Sequence, residues 1–221
     1  MRKLSLIGKM YCGELFEDRG SAELGAGVAL LAGFAVPLAA ELLAEVRRIA
    51  SAAPFRHMLT PGGFRMSAAM TNCGSAGWIT DRQGYRYSAT DPESGNPWPP
   101  LPRAFLELAQ RAAHAAGFVE FAPDACIINR YAPGSRMSLH QDKDERNFDA
   151  PIVSISLGLP ATFLFGGPKR SDRPQRVSLQ HGDVVVFGGP ARLNFHGIAP
   201  LKDGSHPVGR ERINLTLRQA L

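Results

Sequence analysis

The chain has 221 residues, of which 44% are hydrophobic and 20% charged, so it can form a sizeable core and is neither disordered nor of low complexity. Its 25 Lys and Arg against 20 Asp and Glu leave a net charge of +5, which suits an anionic partner but alone indicates only a basic surface. The 23 Gly and 17 Pro favour many short strands and turns over a helical bundle.

Three cysteines, Cys12, Cys73 and Cys126, are an odd number without Cys-x-x-Cys spacing, which predicts neither a disulfide framework nor a structural zinc site. We therefore expect reduced thiols in a cytoplasmic protein. The basic start of the chain has too short an apolar run for a signal peptide. The uncharged stretch 24–40 is interrupted by Gly and Pro and is shorter than a membrane span of about 20 residues, so no membrane association is expected.

The first half of the chain mixes two helical patterns with loop-rich sequence. A strand is predicted at 28–34, followed by a helix at 37–53 with apolar residues every three or four positions. Residues 54–101 are rich in Gly, Asn and Pro and are expected to form short strands and long loops that act as a lid. A second helix is predicted at 102–116, where Gly117 supplies a stop.

After Pro123 the sequence becomes a succession of short strands separated by Gly and Pro turns. They are predicted at 125–131, 137–140, 152–157, 162–165, 176–179, 183–187, 194–196 and 213–218. This texture predicts an α+β fold with a double-stranded β-helix (jelly-roll) core and flanking helices packed on one face. We expect an N-terminal extension, helix and lid at 1–101 and the core at 102–221, within one compact domain.

The most informative local pattern is Leu139-His140-Gln141-Asp142. Residues i and i+2 of a strand share a face, so the His140 and Asp142 side chains would converge. His196 lies near the end of a later predicted strand and has the best context for a third ligand. Two His and one carboxylate form the facial triad of non-haem Fe(II) oxygenases. The His-x-Asp pattern alone is weak, because four other histidines compete for the third position: His57, His114, His181 and His206.

The last predicted strand concentrates polar donors on one face. Arg212, Asn214, Thr216 and Arg218 alternate with apolar residues, and two arginines on a barrel wall could hold a dicarboxylate. Residues 129–131 (Asn-Arg-Tyr) form a second polar cluster, with the arginine on the opposite face from its neighbours. For either strand, a solvated polar face is the alternative explanation.

Taken together, these motifs resemble the AlkB family of Fe(II)/2-oxoglutarate-dependent nucleic-acid dealkylases. The resemblance covers residues 55–220 and is greatest to the bacterial members. It is carried by Asn-Arg-Tyr at 129–131, His-x-Asp at 140–142, His196, and Arg-x-Asn-x-Thr-x-Arg at 212–218. Phe64 and Phe187 are departures, because the family pattern has Tyr and Trp there.

The resemblance implies Fe(II), 2-oxoglutarate and O₂ as cofactor and cosubstrates. By likeness, His140, Asp142 and His196 are the catalytic metal ligands. The residues expected to bind 2-oxoglutarate are Asn129, Arg130, Tyr131, Arg212, Ile213, Asn214, Leu215, Thr216, Leu217 and Arg218.

The resemblance also implies a nucleotide-recognition lid and a substrate. Asp144 would accept hydrogen bonds from the exocyclic amine of the base, and Trp78 would stack on a flipped-out base. Further substrate contacts are expected from Thr60, Tyr85, Arg86, Tyr87 and Arg170. The implied activity is oxidative demethylation of 1-methyladenine and 3-methylcytosine in DNA by a monomer. Single strands would be preferred over duplex, RNA is left open, and formaldehyde and succinate would be released.

Two other functions remain open at the level of sequence. One is an oxygenase of the same kind that acts on a protein side chain or a small molecule, against which the basic charge and the Trp78–Asp144 pair argue. The other is a non-catalytic jelly-roll module that binds metal or nucleic acid.

Overall fold

The computed structural model describes residues 21–221, so Cys12 and the basic start of the chain lie outside the described residues. Two α-helices are present, α1 (Ala39–Ala52) and α2 (Arg103–Ala115), with 3₁₀ turns at Val36–Leu38 and Gly189–Ala191. The strands are β1 (Ser21–Gly25), β2 (Val28–Leu31), β3 (Ala69–Gly74), β4 (Gly77–Asp81), β5 (Gly84–Ser88), β6 (Ala125–Tyr131), β7 (Met137–His140), β8 (Ile152–Gly158), β9 (Ala161–Phe165), β10 (Gln175–Leu179), β11 (Val184–Phe187), β12 (His196–Ile198) and β13 (Arg212–Arg218).

The strands form two main antiparallel sheets and one hairpin. The larger sheet has seven strands in the order β1-β2-β11-β8-β13-β6-β3, and the smaller has four in the order β10-β9-β12-β7. Within the part of the chain that the structure describes, β4 and β5 pair only with each other. The expected jelly-roll core with flanking helices is confirmed. No helix among residues 21–221 is long and apolar enough to cross a bilayer.

Apolar side chains on opposite faces of the large sheet build two cores. On β11, Val184 and Val186 pack with both helices, while Val185 and Phe187 pack between the two sheets against Phe163 of β9. Because successive side chains of a strand point to opposite faces, a strand buried on both sides reads as a continuous apolar run. The helices therefore cover one face of the large sheet, as expected, and the other face is directed towards the small sheet.

The division into a lid segment at 1–101 and a core at 102–221 needs correction. β1, β2 and β3 all precede residue 102, yet they are strands of the seven-stranded sheet. The core therefore draws on both parts of the chain, because β2 pairs with β11 and β3 pairs with β6. Of the loop-rich segment, the β4–β5 hairpin is the part that stands apart from the main sheets.

The strand predicted at 194–196 instead occupies His196–Ile198. The preceding residues are taken up by a turn, in which the Asn194 N–H donates to the Ala191 carbonyl at 3.0 Å. Of the predicted thiols, Cys73 and Cys126 are buried and lie opposite each other on β3 and β6 without a disulfide.

The turn at residues 181–183 anchors the start of α1 to the large sheet. Asp183 is fully buried and accepts hydrogen bonds from the N–H groups of Gly33 and Gln180, each at 2.8 Å. The Gly182 carbonyl accepts from the Ala35 N–H at 2.8 Å, and Gly182 itself has φ of +84°. A Cβ at this position would collide with Cγ2 of Val36 and lie 2.9 Å from the Val36 nitrogen. Only glycine fits here on both conformational and steric grounds.

We expect Gly182→Ala to lower the free energy of unfolding by about 3 kcal/mol, since it adds a clash to a left-handed backbone. Gly134→Ala is the matched control, because Gly134 has φ of +85° but open space around its Cα. The control should lose only the conformational part, about 1 kcal/mol. Urea unfolding monitored by circular dichroism measures both, and equal losses would contradict the role of the Val36 contact.

Candidate active site

The three predicted metal ligands meet where two strands of the small sheet run side by side. β7 ends at His140, β12 begins at His196, and the antiparallel register places these residues directly opposite each other. The Asp142 carboxylate lies 3.6 Å from His140 Nε2 and 3.5 Å from His196 Nε2. The candidate ligand atoms all lie within 4.8 Å of one another. The fold thus brings two imidazoles and one carboxylate to a common point.

Hydrogen bonds on the far side of each imidazole leave the ligand nitrogen free. His140 Nδ1 donates to the Ser138 carbonyl at 2.9 Å, and His196 Nδ1 donates to the Asn194 carbonyl at 3.0 Å. Because a carbonyl can only accept, each neutral ring carries its proton on Nδ1 and presents the lone pair of Nε2.

The charges at this point favour a cation. The His140 side chain is 39% exposed. Desolvation by the surrounding protein and the neighbouring His196 nonetheless lower the His140 pKa to about 4, so this imidazole is neutral at pH 7. Burial alone would raise the pKa of Asp142, but the Arg218 guanidinium, with Nη2 at 2.8 Å from Asp142 Oδ2, holds it well below its usual range. A neutral His140 imidazole and an ionised Asp142 carboxylate result, and the His196 ring presents its Nε2 to the same point. This donor set fits Fe(II).

The cavity-facing side of β13 fits the second expected ligand, a keto dicarboxylate. Arg212 is 1% exposed, and its Nη2 donates to Ser156 Oγ at 2.9 Å. Its Nε and Nη1 have no hydrogen-bond partner within residues 21–221. Burial lowers the pKa of Arg212, and this effect is offset only in part by the nearby Tyr131. A buried guanidinium with two free donors matches a carboxylate, whereas Arg218 is already paired at the metal position.

A cavity of about 870 Å³ opens over these groups. Sites for small ligands are usually about 300 to 1,000 Å³, so there is room for an oxo acid and one base. Its lining includes Asn129, Tyr131, Arg212, Asn214, Thr216 and Arg218 together with the predicted substrate residues Thr60, Trp78, Tyr85, Asp144 and Arg170. The structure therefore brings these eleven residues to the same cavity as the three metal-ligand candidates.

Four residues predicted to bind 2-oxoglutarate have side chains that lie elsewhere. Arg130 stacks on Phe55, with its guanidinium carbon 4.8 Å from the ring centroid, and faces Glu211 at 3.8 Å. Ile213, Leu215 and Leu217 pack into the helix-side core. Since side chains alternate along a strand, only every second residue of 129–131 and 212–218 can face the cavity. This corrects the expectation for these four side chains.

Two predicted substrate residues on β5 also lie outside the cavity lining. Arg86 forms two hydrogen bonds to the Asp81 carboxylate, at 2.9 and 2.7 Å. The Tyr87 hydroxyl donates to Glu145 Oε1 at 2.7 Å and accepts from Arg218 Nη1 at 3.2 Å. Burial raises the pKa of Tyr87. Tyr87 therefore belongs to the wall behind the metal position, where its hydroxyl is held by Glu145 and Arg218.

Two buried charged residues beside the site, Glu145 and Arg192, were not predicted from the sequence. They pair with each other at 3.2 Å, and Glu145 also faces Arg218 Nε at 3.4 Å. The signal for Glu145 is its place three residues after Asp142. The signal for Arg192 is a lone arginine in an otherwise apolar and Gly/Pro-rich stretch, residues 187–193.

Comparison with known proteins agrees with this geometry. The model of the 2OG-Fe(II) oxygenase superfamily matches residues 27–218. The chain is 59% identical over 198 residues to alpha-ketoglutarate-dependent dioxygenase AlkB of Escherichia coli K12, covering 89% of this chain and 92% of that protein. It is 31% identical over 166 residues to DNA N(6)-methyladenine demethylase ALKBH1C of Arabidopsis thaliana, which covers 63% of this chain and 36% of that protein. The structure of OsALKBH1 matches with a TM-score of 0.80 and 29% identity over 90% of this chain and 100% of that one.

A jelly-roll core with a His-Asp-His site and an oxo-acid pocket defines an Fe(II)/2-oxoglutarate-dependent dioxygenase, which uses Fe(II), 2-oxoglutarate and O₂. Within that superfamily, the chain belongs to the AlkB family.

We expect Arg212→Met to weaken 2-oxoglutarate binding by about 30-fold or more, because truncating one partner of a buried charge pair costs about 2–5 kcal/mol. Binding of 2-oxobutanoate, which lacks the distal carboxylate, should change little. Anaerobic calorimetric titration of the Mn(II)-loaded protein with each acid measures this difference. An equal loss for both acids would contradict the assignment of Arg212 to the distal carboxylate.

Proposed function

We propose that the chain demethylates 1-methyladenine and 3-methylcytosine oxidatively in DNA, with preference for single strands, and releases formaldehyde and succinate. The same two methylated bases in RNA are included as substrates to be tested. The proposal assigns metal binding to His140, Asp142 and His196, and 2-oxoglutarate binding to the cavity-facing residues of β6 and β13. The demethylase name of the Arabidopsis relative supports the reaction type.

The proposal is supported above all by a stacked pair of aromatic rings, one of which is hydrogen-bonded to a carboxylate near the metal position. Trp78 and Tyr85 stack with ring centroids 5.6 Å apart and an interplanar angle of 18°. Trp78 Nε1 donates to Asp144 Oδ2 at 2.7 Å, and Asp144 is only two residues from Asp142. A flat ring with an exocyclic amine and a positive charge suits this pair, since the ring can stack and the amine can donate to the carboxylate.

The division of labour among the residues follows from their positions. Trp78 would stack on the base, and Asp144 would accept from its amine and favour the cationic methylated ring over the neutral one. Apolar side chains that line the cavity, including Phe163 and Phe187, exclude water from the reacting carbon. With Fe(II), 2-oxoglutarate and O₂ bound, the site supplies the oxidant that hydroxylates the N-methyl carbon, which then leaves as formaldehyde. Because the methyl lies on the pairing edge, the base has to be unpaired.

The basic residues around the cavity support a polyanionic substrate. Arg170 lies over the Phe195 ring, with its guanidinium carbon 5.8 Å from the centroid, and both residues line the cavity. Arg65, Arg136 and Lys143 line it as well. Together with the net charge of +5, this distribution suits the phosphates that flank a single base.

We also propose that the protein is cytoplasmic and acts as a monomer. Cys73 and Cys126 are free thiols, which suits a reducing compartment such as the cytoplasm. Size-exclusion chromatography with light scattering checks the monomer.

The direct test uses a single-stranded DNA oligonucleotide with one 3-methylcytosine, incubated with the protein, Fe(II), ascorbate and 2-oxoglutarate. We expect formaldehyde, succinate and unmodified cytosine in equal amounts, measured by mass spectrometry. Duplex and RNA oligonucleotides of the same sequence define the preference. Turnover of 2-oxoglutarate without any demethylation in all three would reject the proposed substrate class and leave the dioxygenase class intact.

Asp144→Ala should lower demethylation about tenfold or more, since a hydrogen bond to a charged group contributes about 1.5–3 kcal/mol. Uncoupled 2-oxoglutarate turnover should persist, because the metal ligands are untouched. Asp149→Ala is the matched control: Asp149 is exposed on the same loop, outside the cavity lining, and its loss changes the charge equally. Equal rates for the two variants would exclude Asp144 from base recognition.

A further inference from the structure

Arg192 is a buried arginine whose three kinds of nitrogen are all engaged. The residue is 3% exposed. Nη1 donates to the Asp142 carbonyl at 2.7 Å, Nε to the Ala150 carbonyl at 3.1 Å and Nη2 to Glu145 Oε2 at 3.2 Å. One face of the guanidinium lies 5.4 Å from the centroid of the Phe148 ring. A planar fork held on this many sides has a fixed position.

All of these partners belong to one segment, residues 142–150. No helix or strand is assigned in this segment, so its conformation depends on contacts from outside it. It begins with the metal-ligand candidate Asp142 and carries Asp144 of the base site. Arg192 comes from a different loop, four residues before His196. A single side chain therefore ties the loop that carries one metal ligand to the loop that leads into the strand of another.

A second hydrogen bond crosses between the same two loops. Gln141 Nε2 donates to the Leu193 carbonyl at 2.6 Å. Gln141 and Asp142 are consecutive, as are Arg192 and Leu193, so the two loops are linked twice over adjacent residues. Two adjacent links restrict the relative position of the two loops more than either link would alone.

Glu145 connects this link to the carboxylate of Asp142. Its Oε2 faces Arg192, and its Oε1 receives the Tyr87 hydroxyl and lies 3.4 Å from Arg218 Nε. Arg218 in turn pairs with Asp142 Oδ2. Arg192 thus binds the Asp142 main chain directly. It also contacts the Glu145 carboxylate, which faces Arg218, the side-chain partner of Asp142.

We propose that Arg192 is a positioning residue for the metal site: it fixes Asp142 and the following Asp144 relative to His196, and contacts neither metal nor substrate itself. The inference rests on the proposed function for the roles of these residues. It does not depend on which nucleic acid is the substrate. Groups that orient metal ligands typically change metal affinity by about 10- to 100-fold when they are removed.

The test is Arg192→Lys in the full chain, because lysine keeps the charge and cannot reach three acceptors in one plane. Anaerobic titration with Co(II) at saturating 2-oxoglutarate, followed by the visible absorption band, reports both affinity and ligand geometry. We expect about tenfold weaker Co(II) binding and a shifted band. Gln141→Met, which removes only the second link, should give a smaller loss in the same direction.

Arg56→Lys is the matched control for burial of an arginine. Arg56 is also largely buried, pairs with Asp91 and Glu93, lies over the Trp98 ring at 5.4 Å, and is outside the cavity lining. It should lower the free energy of unfolding without changing Co(II) affinity or the band. Wild-type Co(II) binding by Arg192→Lys, or an equal loss in Arg56→Lys, would overturn the proposal. If Arg192→Lys does not fold, unchanged Co(II) binding by Gln141→Met overturns it.

Neither readout uses nucleic acid, so the two proposals fail separately. A protein that binds Co(II) as described but demethylates no oligonucleotide would reject the substrate and keep the role of Arg192. If the protein demethylates 3-methylcytosine but Arg192→Lys binds Co(II) as the wild type does, the substrate is kept and the role of Arg192 is rejected.

Discussion

The site depends on one buried ion pair, between the Asp142 carboxylate and the Arg218 guanidinium. A carboxylate buried between two imidazoles would become protonated without a nearby cation, and a protonated acid is a poor ligand for Fe(II). Arg218 keeps Asp142 ionised, and the histidine rings keep their lone pairs free because their other nitrogens donate to carbonyls. The ligand set is therefore prepared by the fold before any metal binds.

The surrounding charges explain why both a metal and a dicarboxylate belong here. Among residues 21–221, the cavity and its back wall bury Arg192, Arg212 and Arg218 with only two carboxylates, Asp142 and Glu145. Arg192 and Arg218 share these two, which leaves Arg212 without one. Fe(II) brings two positive charges and 2-oxoglutarate brings two negative charges. Binding of both therefore leaves the total charge of the site unchanged, while Arg212 gains a partner. An unpaired buried guanidinium is costly, and in this protein that cost favours binding of the cosubstrate.

Sequence alone indicated the parts of the site that depend on local periodicity. The bounds of β6 and β7 were predicted as observed, because turns of Gly and Pro limit each run, and the His140–Asp142 pair and the alternating residues of β13 follow from the two-residue repeat of a strand. Partners across long separations could not be read this way. Arg192 contacts residues 42 to 50 positions away, and Tyr87 contacts Glu145 at a separation of 58. Likewise, β2 and β3 join the large sheet through pairings that local periodicity does not specify.

We expect the preformed His-Asp-His set and the unpaired Arg212 to bind one metal and one keto dicarboxylate side by side. A crystal structure of the protein with Mn(II) and 2-oxoglutarate would show this arrangement. Mn(II) should lie on Nε2 of His140, Nε2 of His196 and the Asp142 carboxylate, with the keto acid on the same ion and its far carboxylate on Nε and Nη1 of Arg212. Metal held by other residues, or a far carboxylate bound away from Arg212, would show that the arrangement is wrong.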